Sequence, residues 1–286
     1  MSSGTAAQWF AGRKLVIATM HGKEKVLAEP LEKALGVHCM LPEAFNTDLF
    51  GTFSGEVERP GDADFTLRLK CQAAMEATKC DLALASEGSF GPHPMLPFAA
   101  VGEERLLMID RLHGLEIGVR SISGVTNFQH AEIRDWAGLQ AFAKHAGFPE
   151  HGLILSGILE SEKKVFKGLR QTEQLESSFR ALRAGSDSLT VQTDMRAMHN
   201  PTRMQAIAKL CDEFLERIRS ICQGCYRPGF GERHYYRGLP CGWCGTPTDC
   251  VLSIETRCSH CGHVEMQQFP DGVEAADPGT CPHCNP

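Results

Sequence analysis

Apolar positions along this chain switch between runs of four to six residues and stripes at helical spacing, in the order expected of an α/β domain. Lys14-Leu-Val-Ile-Ala-Thr19 is a β-branched run and predicts a strand. Met20-His21-Gly22-Lys23 turns the chain. Glu24 to Leu35 then places Val26, Leu27, Leu31 and Leu35 on a helical stripe, with Gly36 as its stop. Val37 to Leu41 predicts a second strand. Asp62 to Cys80 predicts a helix with Phe65, Leu69, Ala73 and Ala77 as its apolar stripe, and Lys70 one residue off it. Asp81 to Ala85 is a buried strand. The following stretch, Ala85-Ser-Glu-Gly-Ser-Phe-Gly-Pro-His-Pro94, carries two glycines and two prolines, so the strand is expected to end there in a loop.

Glu103 to Asp110 and Leu115 to Arg120 read as a hairpin around Arg111-Leu-His-Gly114, followed by a polar loop from Gly124 to His130. Arg134 to Ala146 predicts a helix with Trp136, Leu139, Phe142 and Ala143 inward, ended by Gly147-Phe-Pro149. A strand over His151 to Leu159, a helix over Gln171 to Arg183 and a strand over Ser188 to Asp194 follow. The longest helix is expected from Pro201 to about Ile221, with Asn200 as N-cap and Met204, Ile207, Cys211, Phe214, Ile218 and Ile221 inward. Together these predict an α/β fold, a mixed twisted sheet with flanking helices, over residues 14–221. Residues 1–13 are expected to be poorly ordered, and residues 222–286 to form a small zinc-ribbon-like domain.

Composition changes the picture mainly through cysteine. Of 13 cysteines, eight form the pairs Cys222/Cys225, Cys241/Cys244, Cys258/Cys261 and Cys281/Cys284. No apolar segment at the N-terminus suggests a secretory signal and no run is long enough to span a bilayer, so a cytoplasmic protein without a membrane partner is expected. In a reducing compartment that spacing points to zinc rather than disulfides, and four pairs make two closed four-cysteine sites for two structural ions. The hairpin expected over Val251 to Phe269 puts Cys258/Cys261 at its tip, about 20 Å from its base. That distance favours Cys222/Cys225 joining Cys258/Cys261, and Cys241/Cys244 joining Cys281/Cys284, over sequential ribbons. Cys39, Cys71, Cys80, Cys211 and Cys250 sit among apolar neighbours and read as core residues.

The formal charge of −6 becomes about −10 with two zinc ions on eight thiolates, which argues against a dedicated nucleic-acid coat. Between the first two cysteine pairs, Tyr226 to Arg237 interleaves Arg233, Tyr235 and Arg237. These residues either stack bases and hold phosphates or pack around a zinc knuckle, and the second reading is favoured.

Candidate chemistry gathers at four places. The Thr19–Lys23 turn, with His21, can hold phosphate at a helix start or be a plain strand-to-helix turn. Asn46 to Pro60 is long and rich in acids and hydroxyls, suited either to an active-site loop or to a surface loop. The loop at Glu87, with Ser86, Ser89 and His93, offers a carboxylate, two hydroxyls and an imidazole, with Glu87 either functional or a structural carboxylate bonded to backbone N–H groups of the Gly88–Gly91 loop. Asp194, Arg196, His199 and Arg203 cluster near a strand end and a helix start, and either complete the same site by binding an anion at that helix N-terminus or form a structural Asp–Arg pair with a solvent histidine.

The order of Ala18-Thr-Met-His-Gly-Lys23, Phe53-Ser-Gly-Glu56 with Asp64-Phe-Thr66, and Ser86-Glu-Gly88 resembles the inosine and xanthosine triphosphate pyrophosphatase superfamily over about residues 14–120. Met20 stands where that superfamily has asparagine, and Phe65 where it has an acid. The resemblance implies Glu87 as a Mg²⁺ ligand, with Glu56 or Asp48 as second ligand or base. It also implies Thr19, Lys23, Arg59 and Lys70 as phosphate clamps. The whole chain resembles a family of uncharacterised bacterial proteins carrying this ASEGSFGPHP block, a TDMRA-like block and a zinc-binding tail. The expected function is hydrolysis of a phosphoanhydride or phosphate ester in a nucleotide-like small molecule. The alternative is a zinc-stabilised protein that binds nucleic acid or a protein partner without catalysis.

Overall fold

The computed structural model describes residues 6–43, 45–47, 61–92, 99–159, 162–186 and 188–286. Its chain divides into two compact units, residues 11–214 and residues 215–286 with 6–10. It is a mixed α/β protein with three sheets and six helices among the described residues.

The first sheet has the order β2-β1-β3-β4-β5. Strands β1 (Lys14–Ala18) and β2 (His38–Met40) are parallel and flank helix α2 (Glu24–Leu35), which buries Leu27, Leu31 and Leu35 and ends on Gly36 in the left-handed region. β1 is also parallel to β3 (Leu82–Pro92), over Val16–Ala83, Ile17–Leu84 and Ala18–Ala85. From there β3 runs antiparallel to β4 (Ala100–Asp110), which runs antiparallel to β5 (Leu115–Ser123). Helix α3 (Ala63–Thr78) starts on Asp62, whose side chain accepts from the Phe65 N–H. Side chains alternate across a strand, so Val16, Ala18, Ala83 and Ala85 pack under Leu67, Cys71, Ala74 and Met75 of α3.

The second sheet, β6-β9-β7-β8, is antiparallel throughout. It comprises β6 (His130–Ile133), β7 (Leu153–Leu159), β8 (Glu162–Leu169) and β9 (Leu189–Thr193). Helices α4 (Trp136–His145) and α5 (Thr172–Arg183) cover it through Leu139, Ala143, Leu175 and Leu182. Helix α6 (Pro201–Arg219) starts on Asn200, whose Oδ1 accepts from the Arg203 N–H at 2.9 Å. The third sheet, in the other unit, is β10 (Glu232–Arg237), β11 (Val251–Arg257) and β12 (Val264–Gln268), antiparallel in that order. Among the described residues no helix is long and apolar enough to cross a membrane.

Three expectations are corrected. Ala85 to Pro92 is not a loop: Ser86 to Pro92 continue β3 against β4, each residue paired as far as Pro92–Ala100. Glycine is tolerated there because one long antiparallel partner holds the strand in register. The apolar stripe of α3 is turned: Phe65 is 46% exposed, while Leu67, Lys70, Cys71, Ala74 and Met75 face inward. The stretch expected to be poorly ordered includes a short helix, α1 (Ala7–Phe10), whose Phe10 is fully buried. Cys71 and Cys211 are buried as expected of core residues, while Cys39, Cys80 and Cys250 are half-buried.

Candidate functional site

β1 stops at Ala18, and β3 runs on without it. From Ser86 onward the β3 edge facing β1 has no strand partner among the described residues. The Thr19–Lys23 turn fills that corner and leads into α2, placing the helix N-terminus at the carboxyl ends of two parallel strands. Strand alternation sends neighbouring residues to opposite sides of β3 at this open edge. Ser86 faces the α2 side, where its Oγ lies 2.8 Å from Lys23 Nζ. Glu87 faces α3, where its Oε2 meets Lys70 Nζ at 2.5 Å.

Two places further along β4, Glu104 stands opposite Gly88, on the same face as Ser86. Its carboxylate receives Arg203 of α6, with Nε–Oε1 2.6 Å and Nη2–Oε2 3.3 Å. The Arg203 guanidinium also lies over the Phe90 ring, 4.9 Å from its centroid. Thr19, Lys23, Lys70, Ser86, Glu87, Glu104 and Arg203 are each less than a tenth exposed. Among the described residues, three buried cations here face two carboxylates. Lys70 and Arg203 each have a carboxylate; Lys23 makes no ion pair among the described residues.

The positive surplus is felt by its neighbours. Burial, then the charges of Lys23, Arg203, Arg196 and Lys70, push the His21 imidazole down to about 4, so it is neutral at physiological pH. Burial likewise brings the Lys23 ammonium down to about 7, helped by Arg203 and Lys70 and opposed by Glu104 and Glu87. Arg203 and Glu104 also wall a cavity of about 210 Å³ with Phe90, Thr126, Thr202 and Lys209.

Of the residues singled out in the sequence, Thr19, His21, Lys23, Lys70, Glu87 and Arg203 converge on this corner. Ser89 lies on β3 two residues beyond Glu87. Asp48, Glu56, Arg59 and His93 lie outside the described residues. Arg196 contributes charge but is held by Asp194, with Nη2–Oδ2 2.6 Å and Nε–Oδ1 3.0 Å, and Asp194 also accepts the Gly168 N–H. That is the structural-pair reading of the cluster. His199 is half-buried beside it, and burial lowers its pKa. Among the described residues no set of three or more candidate metal ligands gathers at Glu87, where the Lys70 ammonium stands instead. Glu104 and the partnership of Ser86 with Lys23 escaped the sequence. Continued alternation past Ala85 was the one signal for Ser86, and an acid at a strand start reads as surface.

In the other unit the eight paired cysteines form two groups, Cys222/Cys225/Cys258/Cys261 and Cys241/Cys244/Cys281/Cys284, the interleaved arrangement. Within each, all Sγ atoms lie within 4.8 Å of one another. Sγ pairs stand 3.7 and 3.8 Å apart in both groups. A tetrahedral ion with metal–sulfur bonds of about 2.3 Å requires Sγ separations of about 3.8 Å, so both groups fit one. The knuckles repeat a local plan: Tyr226, Gly245 and Gly262 each donate an N–H to the cysteine carbonyl four residues earlier and adopt positive φ. β10 presents Tyr235 and Tyr236 well exposed, and Trp243 of the second knuckle is 81% exposed.

A family model described as a domain of unknown function, DUF6671, matches residues 70–286, so the chain belongs to that family. A comparison with curated proteins gives no match.

Proposed function

We propose that the α/β unit is a hydrolase for a phosphate ester or phosphoanhydride on a small, nucleotide-like molecule, and that the two four-cysteine groups hold structural zinc. The observation that carries the first part is the placement of Lys23 and Arg203 on the α2 face of the open β3 edge, with Lys70 on the α3 face close enough for its charge to act on Lys23. A helix N-terminus attracts anions through its unsatisfied N–H groups. Fixed cations stabilise charge that develops on a phosphate as its bond breaks, each contributing about a hundredfold in rate. The adjoining cavity beside Phe90 gives room for the organic part of such a molecule. Because Lys70 holds Glu87, a Mg²⁺ at that carboxylate would come in with the substrate's phosphates.

Zinc is supported by the all-thiolate donor sets and their tetrahedral spacing. With four protein ligands each, such sites stabilise a fold and leave no position for substrate. Reduced paired cysteines also fit a cytoplasmic setting. The exposed Tyr226, Tyr235, Tyr236 and Trp243 favour a second reading, a partner-binding role for the zinc unit. From Cys222 onward, however, four arginines and no lysine face seven acids before any thiolate is counted, so nucleic acid is disfavoured as that partner.

The test is a panel of nucleoside mono-, di- and triphosphates, including non-canonical purines, and p-nitrophenyl phosphate. Each is offered to the zinc-loaded full chain with Mg²⁺ and then with EDTA. At least one should release phosphate or pyrophosphate and, at a hundredfold excess over Kd, raise Tm by roughly 5 °C. Lys70→Met and Arg203→Met should each lower turnover about a hundredfold. No turnover and no shift across the panel, or full turnover in both variants, overturns the assignment.

A further inference from the structure

We propose that Ser86 is a nucleophile and that Lys23 is the base that activates it, a Ser–Lys pair at the open edge of β3. This goes one step beyond the hydrolase assignment and rests on it for the substrate class. The geometry separates Lys23 from the other two cations. Lys70 is matched by Glu87 and Arg203 by Glu104, whereas the one side-chain partner of Lys23 among the described residues is the Ser86 hydroxyl at 2.8 Å. An ammonium buried without a counter-ion is expensive, and the less costly state is the neutral amine. A neutral amine next to a hydroxyl is a base, and the same separation then serves a bond donated by Ser86 Oγ to Nζ.

The surroundings suit attack as well as activation. Ser86 is the first β3 residue past the last pairing with β1, so its edge is not closed by a neighbouring strand among the described residues. The N–H groups at the start of α2 and the guanidinium of Arg203 flank the same corner. The groups that set the charge state of Lys23 come from every packed element: Arg203 on α6 and Lys70 on α3 disfavour the ammonium, while Glu104 on β4 and Glu87 on β3 favour it. Burial outweighs them all.

Ser86 Oγ attacks phosphorus and the bond from phosphorus to the leaving oxygen breaks. The hydroxyl proton passes to Lys23 Nζ, and the new ammonium delivers it to the leaving oxygen. Water then attacks the phosphoserine and gives one proton to Nζ. The phosphorus–Oγ bond breaks, phosphate departs, and Ser86 takes that proton back. Only water is consumed besides the ester. The ammonium forms when negative charge accumulates on the phosphoryl oxygens, so proton transfer and charge stabilisation coincide.

A fluorophosphonate probe tests the pair without the natural substrate, because its phosphorus–fluorine bond is broken by an activated serine alone. Peptide mapping should find one adduct, on Ser86, formed at a rate that rises with pH about a midpoint near 7. Lys23→Met should slow labelling about a hundredfold, and Ser86→Ala should lose both the adduct and about a hundredfold of turnover on whichever panel phosphate is hydrolysed. Circular dichroism checks both folds. Should Ser86→Ala misfold, alkylation of Ser86→Cys by iodoacetamide must depend on Lys23 in the same way. Wild-type turnover in Ser86→Ala, no adduct on Ser86, or labelling of Lys23→Met at the wild-type rate overturns the pair. Labelling of Ser86 with no panel phosphate hydrolysed leaves the pair standing and removes the phosphate assignment instead.

Discussion

Gly88 keeps open the space in which Arg203 and Glu104 meet. A Cβ at this position would collide with Arg203 Nη2 and lie 2.7 and 2.8 Å from the two Glu104 carboxylate oxygens. Those atoms end flexible side chains, so the fold can yield. The ion pair cannot do so without losing its short Nε contact and its stacking on Phe90. Gly88→Ala should therefore melt within about 1–2 kcal/mol of wild type, yet lose tenfold or more in kcat/KM on a hydrolysed phosphate. Unchanged kcat/KM would show that Arg203 does not act in the site. In the sequence this glycine reads as punctuation, because glycine breaks strands more often than it makes room in them. Its actual use depends on an arginine 115 positions away, which no local pattern exposes. Lys23 was legible as a turn lysine, since a lysine opening a helix is visible locally; its lack of a carboxylate was not.

At the scale of elements, the first sheet is pinned at the end opposite the site. Arg13, just before β1, grips Asp110 at the end of β4 with two bonds of 2.6 and 2.7 Å and reaches Asp81 before β3 at 3.0 Å. His113 Nδ1, the Leu112 N–H and the His113 N–H also bond Asp110, at 2.7, 3.0 and 3.3 Å. Burial works to raise the Asp110 carboxyl, but the bonds from Arg13 and then His113 overcome it and hold its pKa below the usual value. A depressed carboxylate adds stability at and above the unfolded pKa, and that stability is lost as pH falls through the folded one. Asp110→Asn should cost about 3 kcal/mol in urea unfolding at pH 7, because it removes the buried charge that Arg13 grips through two bonds. The cost should shrink as pH falls below the ordinary carboxylate range and through the depressed folded value, where wild type loses the same charge. A cost under about 0.5 kcal/mol would mean the clamp is as weak as a surface pair. Strand and helix order in this unit was largely legible from periodicity, as β1, α2 and the β4–β5 hairpin show. The buried face of α3 was not, because it contains Lys70, an apolar-face residue only by virtue of Glu87 on another element. Likewise β8 and β10 lacked the apolar alternation that marks a strand, their residues being mostly half-buried or exposed.

At the scale of the whole molecule, the two units hold themselves together by different means. The α/β unit has apolar cores of ordinary size, one around Leu67, Cys71, Ala83 and Ala85 and another around Leu139, Leu155, Leu182 and Val191. Among its described residues the cysteine unit buries few large apolar side chains, Phe10, Leu215, Ile218, Phe230 and Leu239, and much of the rest of its interior is Cys222, Cys241, Cys258 and Cys281. So small a core cannot offset the conformational entropy of ordering more than sixty residues, at about 1.5 kcal/mol each. Zinc on the two groups would offset part of that cost, since structural zinc contributes about 10–16 kcal/mol to folding small domains. The interleaved pairing would make the dependence stronger, since an ion in either group would join knuckles about forty residues apart and so close a long loop. The pairing was legible because a strand's length sets how far apart its ends must lie; the metal's share of the stability follows only from the size of the core. Purified protein should contain two zinc ions per chain by elemental analysis. Stripping them with a mercurial thiol reagent and EDTA should expose residues 222–286 to trypsin within minutes. Residues 11–214 should keep their helical circular dichroism, because neither of their cores includes a ligand. Cys225→Ser and Cys284→Ser should each retain about one ion, since the two sites share no ligand. A stripped chain whose tail resists trypsin as the loaded protein does would show that zinc does not hold this unit folded.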